Sequence, residues 1–306
     1  MALWTMDASQ RRIISASRRT DIPAFYSRWL LRRLEEGFCE WIRPFGGGVA
    51  RTSLRAEDCL AMVFWTRNPA PLLPALGDIR TAGHFFYFQF TVTGYPRELE
   101  SHTPPLEAAL KSFRDLADQV GPEAVIWRYD PIILSDRTPP EFHLENFGRI
   151  AQALEGATTQ AYFSFVDLYG KTRRGFEAAS LRAGIAFRKP DPPEQRDLVL
   201  RLRDLAARRG MALFACCEDA LVDPAEGILK GRCVDLDLVR RLRPDALEDL
   251  KRQPTREECG CSASTDIGAY DTCPFGCMYC YATRSREAAL DRAKKHDPSG
   301  TILWRA

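Results

Sequence analysis

Apolar runs six to eight residues long recur along the chain, each followed by a stretch whose apolar positions fall three and four apart. RIISAS (12–17) precedes IPAFYSRWLLRRLEEG, where Phe25, Trp29 and Leu30 share a helical face and Pro23 suits a first turn. CLAMVFWT (59–66) precedes PAPLLPALGDIRTAG, and FFYFQFTV (85–92) precedes PPLEAALKSFRDLADQVG, in which Leu106, Leu110, Phe113 and Val120 repeat at helical spacing. AVIWRY (124–129) precedes FHLENFGRIAQALEG, QAYFSFVD (160–167) precedes a loop and PEQRDLVLRLRDLAARRG, and MALFACC (211–217) precedes DLDLVRRLRPDALEDL. STDIGAY (264–270) is the last such run and leads, through a cysteine-rich loop, into SREAALDRAKK. Alternation of this kind predicts a parallel sheet with crossover helices. Strands that are apolar almost throughout predict a sheet covered on both faces. The expected fold is α/β, a (β/α) barrel, complete or partial and TIM-like. It is expected as one domain over residues 1–306, with 216–282 as its cysteine-rich part.

Each predicted strand ends in polar or reactive side chains: Ser17 to Asp21, Thr66-Arg67-Asn68, Gln89 and Thr91, Arg128 and Asp130, Ser164 and Asp167, Cys216 and Glu218. In β/α barrels the working groups stand at the C-terminal strand ends, so these residues mark the expected functional rim.

Composition narrows the classes. A net charge of +2 gives no global field towards nucleic acid or acidic lipid. No apolar run reaches the length of a membrane span, and MALWTMDASQRR lacks the pattern of a secretory signal. A cytoplasmic location is expected, where thiols stay reduced and ten cysteines suggest metal binding or catalysis rather than disulfides. Eight of them follow residue 215; Cys39 and Cys59 are expected to be core thiols.

CPFGCMYCYA (273–282) sets Cys273, Cys277 and Cys280 in a C-x3-C-x2-C loop. Three thiolates can hold three irons of a cubane cluster and leave the fourth iron for the amino and carboxylate groups of a small molecule. The competing expectation is a structural zinc completed by His296 or Cys261. Cys259 and Cys261, with Cys233 and either Cys216 or Cys217, supply a second four-thiol set, suited to an auxiliary iron–sulfur cluster or a zinc.

The loop, with an aromatic before its last cysteine, resembles the signature of radical S-adenosylmethionine (SAM) enzymes, and its Cys-x-x-x-Cys-x-Tyr-Cys-Tyr form is similar to that of the spore photoproduct lyase-like branch. IWRYDPII (126–133) and FWTRNP (64–69) are similar to strand ends of the same branch. SRRTDIPAFYS, VIWRYDPI and CGC…DIGAYDTCPFGCMYCYA together resemble a bacterial family of unknown function with a radical-SAM-like cluster at its C-terminus. The order departs from most radical SAM enzymes: here the cysteine loop follows the last strand, as in a circular permutation. The resemblance implies a [4Fe–4S] cluster on Cys273, Cys277 and Cys280, SAM as cofactor, a small-molecule substrate, and a reductant such as flavodoxin or ferredoxin. Arg18, Arg19, Asp21, Arg128 and Asp130 are then the candidate catalytic residues. Thr66, Arg67, Gln89, Ser164 and Tyr279 are the candidate cofactor contacts, with Tyr279 expected beside the adenine. Two other classes compete: a zinc-stabilised nucleic-acid-binding protein that uses the basic loop KTRRGF (171–176), and a metal-dependent hydrolase using Asp21, Asp130, Asp167 and Glu218.

Overall fold

The structure is a computed structural model that describes residues 11–43, 46–166 and 170–305, with the backbone alone at 170–172, 174, 178 and 179. From the N-terminus the chain runs β1 (Arg12–Ala16), α1 (Ile22–Phe25), α2 (Ser27–Glu36), a hairpin of β2 (Phe38–Ile42) and β3 (Val49–Ser53), then β4 (Cys59–Thr66) and α3 (Leu76–Thr81). It continues through β5 (Phe86–Thr91), α4 (Leu106–Val120), β6 (Val125–Ile132), β7 (Leu134–Ser135), α5 (Pro140–Ala153), β8 (Gln160–Phe165) and α6 (Gly170–Ala183). The last third holds β9 (Phe187–Arg188), α7 (Pro192–Ala207), β10 (Ala212–Ala215), β11 (Ile228–Lys230), α8 (Leu236–Leu242), β12 (Ser264–Asp266) and α9 (Arg286–Lys295).

Eight strands form one all-parallel sheet in the order β11-β10-β8-β6-β5-β4-β1-β12. Each strand from β1 to β11 lies beside its predecessor in the sheet, as in a (β/α) barrel, while β12 pairs with the far side of β1 at Ile14↔Thr265. The edge strands β11 and β12 are not paired with each other. The α/β barrel expected from the pattern is therefore present in its partial form, and its last strand neighbours its first.

Strand alternation sorts side chains into two layers. Ile14, Phe64, Phe88 and Trp127 pack with Trp29, Phe113 and Phe147 of the crossover helices. On the other face Ile13, Val63, Tyr87, Ile126 and Tyr162 pack with Cys216, Cys233, Val234, Leu236, Val239 and Cys261. The segment between β11 and β12 thus covers the inner face and fills the space a closing strand would seal.

Three expectations need correction. The hairpin β2–β3 and the edge strand β11 carry too little apolar alternation to be recognised; in the hairpin only Cys39 and Thr52 are buried. The basic stretch 171–176 is not a loop but lies in α6. Phe25 leaves the face it shares with the buried Trp29 and Leu30: it is 36% exposed, its ring 4.7 Å from Phe275. Cys39 and Cys59 are buried in the core, and no helix is long and apolar enough to cross a membrane among the described residues.

Beneath the rim, His143 Nε2 donates to Ile133 O at 3.0 Å, which leaves Nδ1 to accept from the Tyr129 hydroxyl at 3.0 Å. Burial pulls this imidazole from 6.5 down to about 4. The folded pKa lies below the unfolded one, so the contribution to stability is complete above about pH 6.5 and is lost as pH falls towards 4, up to roughly 3 kcal/mol. Thermal unfolding of wild type and His143→Gln between pH 7.5 and 4.5 checks this: the wild-type midpoint falls more steeply with acid.

Candidate metal and cofactor site

β12 ends at Asp266, whose carboxylate takes Ser17 Oγ at 2.7 Å, Ser15 Oγ at 2.9 Å and the Arg18 backbone N–H at 2.9 Å. This ties the last strand to the end of the first and fixes where the cysteine loop begins. Arg19 supports the same junction, with Nη1 on Gly268 O at 3.3 Å and its guanidinium 5.2 Å from the Tyr270 ring. The loop then lies over the C-terminal ends of β1, β4 and β5.

Cys273, Cys277 and Cys280 are partly exposed thiols and none forms a disulfide. Cys280 N–H bonds Cys277 O at 3.1 Å, turning the loop on itself. Burial pushes the Cys273 thiol up, and Cys280, Asp21 and Cys277 add to the effect; burial also pushes Cys277 up to about 12. The donors are soft and costly to ionise together, and a shared cationic group would relieve that cost. The donor set fits a thiolate-held cluster in that sense. Among the described residues no group of three or more His, Cys, Asp or Glu closes around a single metal ion. A lone tetrahedral zinc needs thiolates about 3.8 Å apart, given Zn–S bonds of about 2.3 Å, whereas a cubane places each thiolate on a different iron. Of the two zinc completions, Cys261 packs in the second thiol set, while the His296 ring lies edge-on to Tyr26 at 4.7 Å with its Nε2 buried and without a hydrogen-bond partner.

The loop is anchored by a buried knot. Arg67 donates to the Tyr279 hydroxyl, which donates to Glu100, and Arg67 pairs with Glu100 at 3.0 Å. Burial works against the Arg67 charge, and Glu100, Tyr279 and Cys277 more than offset it. Glu100 also takes Thr93 Oγ1 at 2.6 Å, and Met278 N–H bonds Leu99 O at 3.1 Å. Tyr279 therefore serves as an anchor of the loop, packed edge-on to Tyr95 at 6.3 Å. Glu100 escaped sequence reasoning because nothing in YPRELESHT marks it out. Helix α6 backs the loop: a Cβ on Gly175 would stand 2.2 Å from Met278 O.

Asp21 caps α1 by accepting from Ala24 N–H at 2.9 Å, and its other oxygen takes Arg67 N–H at 2.7 Å. Burial raises its carboxyl to about 7 despite these bonds. Thr66 Oγ1 accepts from Asn68 N–H at 2.9 Å in the same turn. Asp21, Thr66, Arg67 and Tyr279 thus gather around the loop. A cavity of about 230 Å³ opens beside them, lined by Arg67, Thr91, Thr93, Arg97, Glu100 and Thr103.

Arg128, Asp130, Gln89 and Ser164 gather elsewhere, against the second thiol set. Arg128 pairs with Asp130 and donates to Gln89 Oε1 at 3.2 Å and Cys233 Sγ at 2.9 Å; Asp130 accepts from Ser164. Glu218 accepts from Phe165 N–H at 2.7 Å. Asp167 lies outside the described residues. Asp21, Asp130 and Glu218 are thus each engaged by the protein's own donors, and among the described residues no three such side chains close on one metal ion. Sequence reasoning placed all the strand-end polar residues on one rim; the structure divides them between two thiol sets, with Arg18 between.

A family model described as a domain of unknown function, DUF1848, matches residues 13–282. The chain belongs to the DUF1848 family. None of the curated proteins matches it. Among solved structures it is similar to deoxyribose phosphate aldolase from Aeropyrum pernix, at 16% identity over 77% of this chain and 88% of that one, with a TM-score of 0.28. It is also similar to the carboxyl transferase domain of pyruvate carboxylase from Rhizobium etli, at 13% identity over 79% and 45% of the respective chains, with a TM-score of 0.24. The DUF1848 match spans both thiol sets and the strand ends that carry them.

Glu100→Ala leaves the Arg67 guanidinium buried without its carboxylate and should destabilise the fold by about 3–5 kcal/mol. Chemical denaturation measures the difference; a change within about 0.5 kcal/mol, the range of ordinary surface substitutions, would show that the knot does not anchor the loop.

Proposed function

We propose that this DUF1848 chain is a radical SAM enzyme in which Cys273, Cys277 and Cys280 hold a [4Fe–4S] cluster. The observation that carries the proposal is a loop of three unpaired thiols at the C-terminal ends of parallel strands, anchored by a buried ion pair and bordered by a polar cavity. A three-cysteine loop leaves one iron without a protein ligand, the vacancy a small chelating cofactor requires. What cluster and SAM supply when bound is one-electron reductive cleavage of SAM to methionine and a 5′-deoxyadenosyl radical, chemistry that belongs to the cofactors.

The chain's own residues position and enclose. Arg67 stands between the loop and the cavity with its charge paired to Glu100, and so holds the loop against the cavity wall. Thr91 and Thr93 line the same cavity and offer hydroxyls to polar groups. Asp21 lies beside Cys273 with its two oxygens taken up by the Ala24 and Arg67 N–H groups, and so ties the start of α1 to the end of β4 beneath the loop. Tyr95, Phe176 and Tyr279 pack with Leu99 around the loop and keep water from its inner side. The substrate class this favours is a small polar molecule; an external one-electron donor is required.

Single Cys273→Ala, Cys277→Ala and Cys280→Ala variants, purified without oxygen and reduced with dithionite, should each lose at least about a hundredfold of the release of 5′-deoxyadenosine from SAM. Their far-ultraviolet circular dichroism should match wild type. Retention of SAM cleavage in all three would defeat the proposal.

A further inference from the structure

The inner face carries a second cysteine group that the radical chemistry does not use. Cys216 Sγ lies 3.3 Å from Cys233 Sγ. Cys217 lies within hydrogen-bonding reach of Cys216 and Cys259, and Cys261 within reach of Cys259 and Cys233. The five thiols therefore form a closed ring of neighbours, and none is in a disulfide. They come from three stretches of chain: the end of β10, the end of β11 and the approach to β12. The ring spans the two edges that the sheet leaves unpaired.

Around it stand cations. Arg128 Nη1 is 2.9 Å from Cys233 Sγ and Nη2 is 3.8 Å from Cys216 Sγ. Arg256 donates to Cys216 O at 3.2 Å and bonds the Cys217 thiol. Arg18 faces the Cys261 and Cys233 thiols, and its Nη2 is buried without a hydrogen-bond partner. Neutral thiols, which are weak acceptors, gain little from such neighbours. Thiolates bound to a metal carry net negative charge, and buried guanidiniums that bond sulfur are the counter-charge such a site needs.

The backbone bears the mark of the same constraint. Among the described residues, the only non-glycine positions with positive φ are Cys217 at 58°, Glu258 at 60° and Asp271 at 59°. Two of these sit in or next to the ring, and left-handed backbone of that kind costs about 1 kcal/mol or more and concentrates at functional sites. The Tyr87 hydroxyl and Gln89 Nε2 both donate to Cys233 O at 3.0 Å, holding that thiol at its place in the ring.

We propose that Cys216, Cys217, Cys233, Cys259 and Cys261 form a second iron–sulfur site, in which four of the five thiolates supply full cysteine ligation. The ring's contacts run around its perimeter, and no three thiols close on one ion. Thiols that touch in pairs, with no three closing on one ion, suit a two-iron cluster, which takes two thiolates on each iron, over a single tetrahedral zinc or a cubane. With every iron held by protein, the site has no open position for substrate.

The test is metal and acid-labile sulfide analysis of the full chain purified without oxygen, in wild type, in C273A/C277A/C280A and in C259A/C261A. The loop variant should keep roughly two irons per chain matched by sulfide, and the ring variant should lose that same amount while keeping the loop's share. Wild type carries the sum, a readout that holds even if either variant folds poorly. Loss of all iron from a folded loop variant would overturn the second site, as would zinc without sulfide, or a Cys216–Cys233 disulfide in the native chain. Iron equal in wild type and loop variant would instead support the second site and sink the radical SAM reading, so the two proposals fail separately.

Discussion

A guanidinium buried on the inner face of the sheet is the constraint on which the arrangement turns. Arg128 is 6% exposed, and a charge there is tolerated only with full pairing. Asp130 supplies the carboxylate, Gln89 an amide oxygen and Cys233 a sulfur, while the Trp65 ring lies 5.3 Å away. Those partners belong to β4, β5, β6 and the segment after β11. Meeting the needs of one side chain therefore draws the cysteine-rich segment onto the sheet. Removing any partner leaves the charge exposed to an apolar layer, so the cover over the open seam and the position of Cys216 and Cys233 follow from it.

The second constraint is where the last strand docks. Because β12 pairs with β1, and Asp266 bonds Ser15, Ser17 and the Arg18 N–H, the loop that follows must emerge beside the end of the first strand. Asp21, at the start of α1, and Arg67, at the end of β4, are then its neighbours. The Arg67–Glu100–Tyr279 knot fixes the far side of the loop, and α6 lies behind it at Gly175. An order of elements in which the cysteine loop comes last thus yields the juxtaposition that a first-strand loop would give: cysteines over the C-terminal ends of the opening strands.

Much of this was legible in the chain. The strands β1, β4, β5, β6, β8 and β10 stand out because both faces are buried, which makes them nearly continuous apolar runs; β4 carries apolar side chains at all but its last position. The rim was legible for the same reason, since polarity returns where each strand leaves the layers. What was not legible depends on contacts distant in sequence. Glu100 gains its role from Arg67 and Tyr279, residues far along the chain on either side, and its own neighbourhood has no period. Cys217 reads as a spare beside Cys216 until its left-handed backbone turns the thiol towards Cys259. The division of Arg128 and Asp130 from Asp21 and Arg67 follows from strand order and covering segments, which no strand's own pattern contains. Basic residues at 171–176 suggest a loop on charge alone, whereas the chain there is helical and passes close to Met278 at Gly175.

The central claim is that the three-thiol loop holds a cluster with one iron open to SAM. Electron paramagnetic resonance of oxygen-free, dithionite-reduced protein, recorded with and without SAM, tests it most directly. Using the C259A/C261A chain removes the ring's contribution from the spectrum. The account predicts a reduced [4Fe–4S] signal whose shape changes when SAM is added. A cluster signal indifferent to SAM, or no cluster after anaerobic reconstitution with iron and sulfide, would contradict it.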